Sequence, residues 1–133
     1  MEREIMLNGN HMRSGDYYQF DLDRTDLERL AYLIKTSIEH RLPLRVSIGK
    51  GKIEFVPSSE GRLKASVASD GTLVLSANTV DLDRLAERFS EMAHENNPDL
   101  HGLVHTHLEP VYISSSPEVE DVVFERIEED SVV

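Results

Sequence analysis

Hydrophobic residues recur with a helical period in two segments of the chain. In residues 25–40, TDLERLAYLIKTSIEH, and residues 80–95, VDLDRLAERFSEMAHE, apolar side chains return every three or four positions. Each segment therefore predicts an amphipathic helix with one apolar stripe. The stripes comprise Leu27, Leu30, Ala31, Ile34 and Ile38 in the first helix, and Leu82, Leu85, Ala86, Phe89, Met92 and Ala93 in the second.

Polar residues mark where these helices start. Thr25 with Glu28 three positions later is the pattern of a capping box, and Thr79 and Asp81 are candidate caps of the second helix. The segments also resemble each other, since DLERLA at 26–31 aligns with DLDRLA at 81–86 at an offset of 55. Strand-like runs precede and follow both, which predicts a duplicated strand–helix–strand unit.

Alternating polar and apolar residues elsewhere predict about seven strands. Asp70-Gly71 predicts a hairpin turn, and residues 49–52, GKGK, predict a basic turn because they lack the spacing of a phosphate-binding loop. Residues 121–127, DVVFERI, predict the last strand. We therefore expect one α+β domain over residues 1–133. Its simplest layout is a two-layer sandwich in which both helices pack on one face of one largely antiparallel sheet.

Composition limits the class of protein. Hydrophobic residues make up 39% of the chain, which has no cysteine, and no apolar run is long enough to cross a membrane. The start of the chain does not have the pattern of a signal peptide, so we expect a cytoplasmic protein. The net charge of −11 disfavours binding to nucleic acid or to an anionic membrane.

The negative charge is concentrated near the end of the chain. Residues 118–133 contain seven carboxylates and one cation, Arg126. Such a segment is either a solvated surface or a binding surface for a basic protein. In the second case Phe124 or Tyr112 could supply an apolar anchor.

Three histidines and a carboxylate fall within residues 101–110, HGLVHTHLEP. On a β-strand, His101, His105, His107 and Glu109 share one face, and Leu108 lies on the other with Val104. We expect the apolar positions to face the helices and the histidines to face solvent. His105 and His107 could also be two ligands of a zinc-like ion.

One enzyme class has a similar pattern. Metalloproteases of the JAMM class carry H-x-H, seven residues, Ser, two residues and Asp, and His105, His107, Ser115 and Glu118 follow that spacing. Leu108 stands where the family has proline, and Glu118 stands where it has aspartate. The alternative function is therefore a small metal-dependent peptidase whose candidate ligands are His101, His105, His107 and Glu118.

Residues 71–127 resemble the immunity-protein family numbered thirty-two of bacterial polymorphic toxin systems. The similarity lies in the helical motif Leu82 to Ala86, in His105, His107 and Glu109, and in the last strand, Val122 to Arg126. The linker 110–120 is longer than the family pattern and His101 is additional.

The resemblance implies a non-enzymatic protein without a cofactor, a monomer or homodimer, that binds and neutralises a basic toxin domain. We expect the partner-binding residues to be His105, His107, Glu109, Glu118, Glu120, Asp121 and Glu125. A structural or regulatory domain with no toxin partner is the remaining alternative.

Overall fold

The computed structural model of the protein describes residues 4–59, 61–96, 105–108, 119 and 121–127. Two helices and nine strands follow one another along this part of the chain. They are β1 (Glu4–Leu7), β2 (Asn10–Ser14), β3 (Tyr17–Leu22), α1 (Arg24–His40), β4 (Leu44–Ile48), β5 (Gly51–Ser58), β6 (Lys64–Val67), β7 (Leu73–Asn78), α2 (Thr79–His94), β8 (His105–Leu108) and β9 (Asp121–Arg126).

The strands form two sheets. Sheet A has the order β1-β4-β5-β7-β6, and sheet B has the order β2-β3-β9-β8. The predicted α+β class, with helices packed on a sheet, is confirmed. The prediction of one sheet is wrong, because the hairpin β8–β9 pairs with β3 and the hairpin β4–β5 pairs with β7. Both of these pairings are parallel, so each sheet is mixed.

The same order of elements occurs twice along the chain. The first repeat is β2-β3-α1-β4-β5 and the second is β6-β7-α2-β8-β9. Each sheet combines the first hairpin of one repeat with the second hairpin of the other. At the offset of 55 found in the sequence, the buried residues Tyr18, Phe20 and Leu22 of β3 correspond to Leu73, Leu75 and Ala77 of β7. The two halves therefore have the topology that a duplication predicts.

The capping residues of both helices lie one to three positions before the predicted caps. Asp23 caps α1, where its side chain accepts a hydrogen bond of 2.8 Å from the backbone N–H of Asp26. Asn78 caps α2 and accepts the equivalent bond from Asp81. The predicted caps Thr25, Thr79 and Asp81 thus lie inside the helices. Asp23 and Asn78 are themselves 55 residues apart, and each satisfies a backbone donor that would otherwise lack a partner.

One hydrophobic core joins the helices to both sheets. The two helices pack against each other, and the predicted stripe of each is buried except Ile38, which is half-buried. Phe89 of α2 contacts Phe124 of β9 edge-on at 4.7 Å between ring centroids, and Phe124 stacks on Phe20 of β3 at 5.3 Å. Among the described residues, no helix is long and apolar enough to cross a membrane.

Arg126 ties the end of α2 to sheet B. This side chain is almost fully buried and donates hydrogen bonds to the carbonyl oxygens of Met92 and Glu95. The last carbonyls of a helix have no partner within the helix, and a cation is favourable beside them. Arg126, the one cation among residues 118–133, is therefore part of the core and not of the surface.

Glycines allow the two sheets to meet closely. Gly49 and Lys50 form the two-residue turn between β4 and β5, and Gly49 has the left-handed φ of 59° that such a turn requires. A Cβ atom at Gly49 would lie 2.9 Å from the carbonyl oxygen of Gly9, in the β1–β2 connection. A Cβ atom at Gly9 would lie 2.2 Å from the carbonyl oxygen of Asp21. The basic turn predicted at residues 49–52 is thus confirmed, and it lies against the entry to β2.

Leu30 and Leu85 occupy equivalent positions in the two repeats and make a matched test of the core. Leu30 is 0% exposed, whereas Leu85 is 7% exposed and borders a cavity of about 170 Å³ together with Leu63 and Leu108. Leu30→Ala should cost about 4 kcal/mol and Leu85→Ala about 2 kcal/mol, because Leu85 has fewer packed atoms to lose. Urea unfolding measures both values. Equal costs, or the reverse order, would contradict this packing.

Candidate functional site

The outer face of sheet B is set by the alternation of side chains along β3. Tyr18, Phe20 and Leu22 are buried in the core, so the intervening residues lie on the opposite face of the sheet. Those residues are Tyr17, Gln19 and Asp21, of which Tyr17 is exposed and the other two are half-buried.

The parallel pairing with β9 brings further carboxylates to this face. Tyr17 pairs with Asp121, Gln19 with Val123, and Asp21 with Glu125. We call Asp21, Asp121 and Glu125 the acidic face. No Lys or Arg side chain of the described residues lies on this side of sheet B, because Arg13 covers the buried ring of Tyr18 and Arg126 is in the core. The local charge is therefore negative.

Gln19 organises the acidic face. Its side-chain nitrogen donates to Asp21 Oδ1 at 2.8 Å and to Glu125 Oε2 at 3.3 Å. Its side-chain oxygen, Oε1, accepts a hydrogen bond from the Tyr17 hydroxyl at 3.2 Å. One neutral amide thus donates hydrogen bonds to two carboxylates and brings no positive charge to either. A carboxylate has about four acceptor positions, so each can also accept hydrogen bonds from Lys or Arg of a partner.

The repeat supplies an internal comparison for these carboxylates. In sheet A, the positions equivalent to Asp21 and Glu125 are Ser76 and Val56, which pair in the same parallel register. The fold accordingly forms the same pairing without charge. Asp21 and Glu125 are therefore a property of sheet B and not a requirement of the topology.

The histidine strand lies beside the acidic face. In β8, His105 pairs with Glu125 and His107 pairs with Val123, so both positions are in register with the row Asp121, Val123 and Glu125 of β9. Val123, in the middle of that row, is only 5% exposed. Leu108 is buried, as predicted for the opposite face, and Thr106 lines the same cavity as Leu85. Of the predicted partner-binding positions, β8 and β9 thus bring together His105, His107, Asp121 and Glu125.

Other predicted site residues lie outside the part of the chain that the structure describes. These are His101, Glu109, Tyr112, Glu118 and Glu120. The described side chains include no group of three His, Asp or Glu residues placed to hold a metal ion. The side chains of His105 and His107 are not among them, so the metal-site alternative stays a prediction.

Phe124 is not an exposed anchor. It is 0% exposed and packs between Phe20 and Phe89. The outer face instead presents Tyr17 and Met12, which are 36% and 52% exposed; Met12 pairs with Gln19 in the β2–β3 hairpin. Sequence reasoning missed these two residues because the strand partners of β3 were unknown. The alternation of residues along β3 does not by itself tell which face of the strand meets the core.

Sequence reasoning also missed a cavity where the two sheets meet. His11 and Arg13 of β2 line it together with Lys50, in the turn between β4 and β5, and Lys52, near the start of β5. The available signal was His11 and Arg13 at alternate positions of one strand, which places both on one face.

No protein-family model matches the chain. No curated protein of known annotation matches it either. Among solved structures, the chain is similar to the crystal structure of Drosophila Suppressor of Fused, with a TM-score of 0.43 and 14% sequence identity. The similarity covers 91% of this chain and 26% of that one, so this chain spans about a quarter of its length.

Proposed function

We propose that the protein is an immunity-type protein of the bacterial cytoplasm, which binds a cognate toxin domain and neutralises it without catalysing a reaction. In this proposal the acidic face of sheet B contacts the toxin. The observation that carries it is the set Asp21, Asp121 and Glu125 on an outer sheet face to which the described residues contribute no cation. The resemblance over residues 71–127 supplies the class of partner.

Charge supports a basic partner. The chain has 25 acidic and 14 basic residues, and the acidic face, to which the described residues contribute no Lys or Arg, adds a local field of the same sign. Complementary fields raise the rate at which two proteins meet and disfavour partners of the wrong charge. A toxin that acts on nucleic acid carries a basic surface, and an acidic protein that covers it would block the substrate.

Tyr17 and Met12 complete the proposed interface. Both are exposed beside Gln19, and the Tyr17 hydroxyl is already fixed by its hydrogen bond to that amide. Tyrosine and methionine are enriched in interface cores, since each offers a large apolar area that a partner can cover. An acidic face beside an apolar pair supplies both fast association and slow dissociation.

The first test is protection. Cells that express the toxin domain encoded next to this gene should survive when the protein is co-expressed, and the two proteins should copurify as a complex. Survival curves and size-exclusion chromatography measure these outcomes. Absence of both would overturn the proposal. Stoichiometric zinc in the purified protein, lost in His107→Ala, would then favour the metal-dependent alternative.

The second test changes the charge of the acidic face. Asp121→Lys with Glu125→Lys should slow association with the toxin domain about tenfold at low salt, because electrostatic steering is reversed. The difference should shrink at physiological ionic strength, where the screening length falls to about 8 Å. Stopped-flow mixing measures the rates.

A matched control keeps the same change in net charge. Glu28→Lys with Glu39→Lys alters two exposed carboxylates of α1, away from sheet B. This pair should slow association much less than the pair on the acidic face. Equal effects would show that only the net charge of the protein matters.

The third test concerns the apolar anchor. Tyr17→Ala should raise the dissociation rate at least tenfold while leaving the association rate nearly unchanged, because short-range packing acts after the encounter. Tyr32→Ala is the control, since Tyr32 is 69% exposed on α1. Surface plasmon resonance separates the two rates. Identical dissociation rates for the two variants would remove Tyr17 from the interface.

A further inference from the structure

A second, oppositely charged site lies where β2 crosses the start of β5. The cavity has a volume of about 170 Å³, roughly five or six times the volume per molecule of liquid water. Its lining contains three permanent cations, Arg13, Lys50 and Lys52, against one carboxylate, Asp70, a net charge of +2 with His11 neutral. This concentration of positive charge occurs in a chain whose net charge is −11.

Arg13 is held in place over the floor of the cavity. Its guanidinium carbon lies 4.8 Å from the centroid of the Tyr18 ring, which is 2% exposed. Its Nε donates a hydrogen bond of 3.0 Å to the carbonyl oxygen of Gly15. These contacts use the ring face and one donor, and the two terminal nitrogens carry the remaining donors of the guanidinium.

His11 is fixed beside Arg13. Its ring stacks on Phe20 at 4.5 Å and lies so close to Gly51 that a Cβ atom there would be 2.4 Å from the ring. Nδ1 of the ring is 3.2 Å from the backbone carbonyl oxygen of Gln19. This oxygen can only accept a hydrogen bond, so Nδ1 carries a proton and donates. The second ring nitrogen then accepts when the ring is neutral and donates when the ring is protonated.

Burial is the main cause that lowers the pKa of His11 below its ordinary value, and the charge of Arg13 lowers it further. The hydrogen bond to Gln19 acts in the opposite direction. Lys50 and Lys52 add positive charge from the other side of the cavity, and Asp70 adds the one negative charge. The lining therefore carries more positive than negative side chains.

The second repeat has apolar residues at the positions equivalent to His11 and Arg13. β2 places His11 opposite Phe20 and Arg13 opposite Tyr18, while β6 places Ala65 opposite Leu75 and Val67 opposite Leu73. Since Phe20 and Tyr18 correspond to Leu75 and Leu73, Ala65 and Val67 are the counterparts of His11 and Arg13. Both counterparts are apolar and pack on the core. One repeat therefore has an imidazole and a guanidinium where the other has ordinary core residues.

We infer that this cavity binds the phosphate group of a small phosphorylated molecule. Arg13, His11, Lys50 and Lys52 all line a space whose volume admits one such group and a few further atoms. A phosphate monoester carries a charge near −2, which balances the lining, whereas a single carboxylate would neutralise half of it. The inference does not depend on the acidic face, which lies on the other side of sheet B.

Inorganic phosphate is the first probe. Its binding to the intact protein is monitored through the ¹H–¹³C NMR signal of the His11 ring. Phosphate should shift this signal in a saturable manner. Sulfate, whose charge is constant between pH 5 and 8, then isolates the role of the histidine. Bound sulfate stabilises protonated His11 and raises its pKa, so sulfate should bind more tightly below that pKa than above it. A rise of about one pKa unit corresponds to a roughly tenfold gain in affinity.

Two variants copy the other repeat. Arg13→Val and His11→Ala introduce the residues found at Val67 and Ala65, which this topology already accommodates. Arg13→Val should weaken phosphate binding at least tenfold, and His11→Ala should remove the pH dependence of sulfate binding. Arg29→Val, an exposed cation of α1, is the control and should change neither. Thermal unfolding checks that each variant is folded.

The inference fails if phosphate leaves the His11 signal unchanged, or if Arg13→Val and Arg29→Val bind phosphate equally. Binding to vesicles that contain phosphatidic acid, without an effect of inorganic phosphate on His11, would overturn it in favour of a lipid surface. Toxin protection by Arg13→Val, measured in parallel, shows whether the cavity and the acidic face act independently.

Discussion

The parallel pairing of β3 with β9 determines both the core and the candidate site. It joins strands about a hundred residues apart in the chain, in the register that sets Phe20 beside Phe124 and Asp21 beside Glu125. Because side chains alternate along a strand, the aromatic pair enters the core when the carboxylate pair lies outside. A shift of β9 by one residue would turn Asp121 and Glu125 toward the core and Phe124 outward. The packing of Phe124 against Phe89 therefore also fixes the acidic face.

The two repeats share a topology and differ in the chemistry of their equivalent positions. The same parallel register contains Asp21 and Glu125 in sheet B and Ser76 and Val56 in sheet A. The same inner face has His11 and Arg13 in β2, and small apolar residues in β6. Sheet A therefore forms the equivalent pairings without charged side chains at these positions. Both candidate surfaces involve β2 or β3, the hairpin that carries this difference.

Patterns within a single element could be predicted from the sequence. The apolar stripes of both helices and the turn containing Asp70 and Gly71 depend on neighbouring residues, and the offset of 55 follows from comparing two such local patterns. The cap at Asp23 was missed because Thr25 and Glu28 form an equally good local pattern two residues further on. Local patterns of this kind predict that a helix exists better than where it begins.

Pairing between distant strands could not be predicted. Alternation in residues 121–127 does not tell whether Phe124 or Glu125 faces the core, since that depends on the strand beside it. No sequence pattern within either hairpin indicates that the repeats exchange hairpins. The acidic face and the basic cavity both arise from that exchange, the first through β3 with β9 and the second through β2 against β5.

The central claim is that the outer face of sheet B contacts the partner. The most direct measurement is the change in backbone amide NMR signals when the unlabelled toxin domain is added to labelled protein. The account predicts changes concentrated in residues 17–22 and 121–126, with those of sheet A and the outer face of α1 nearly unaffected. Changes confined to sheet A or to the helices, with sheet B unaltered in a saturated complex, would contradict it.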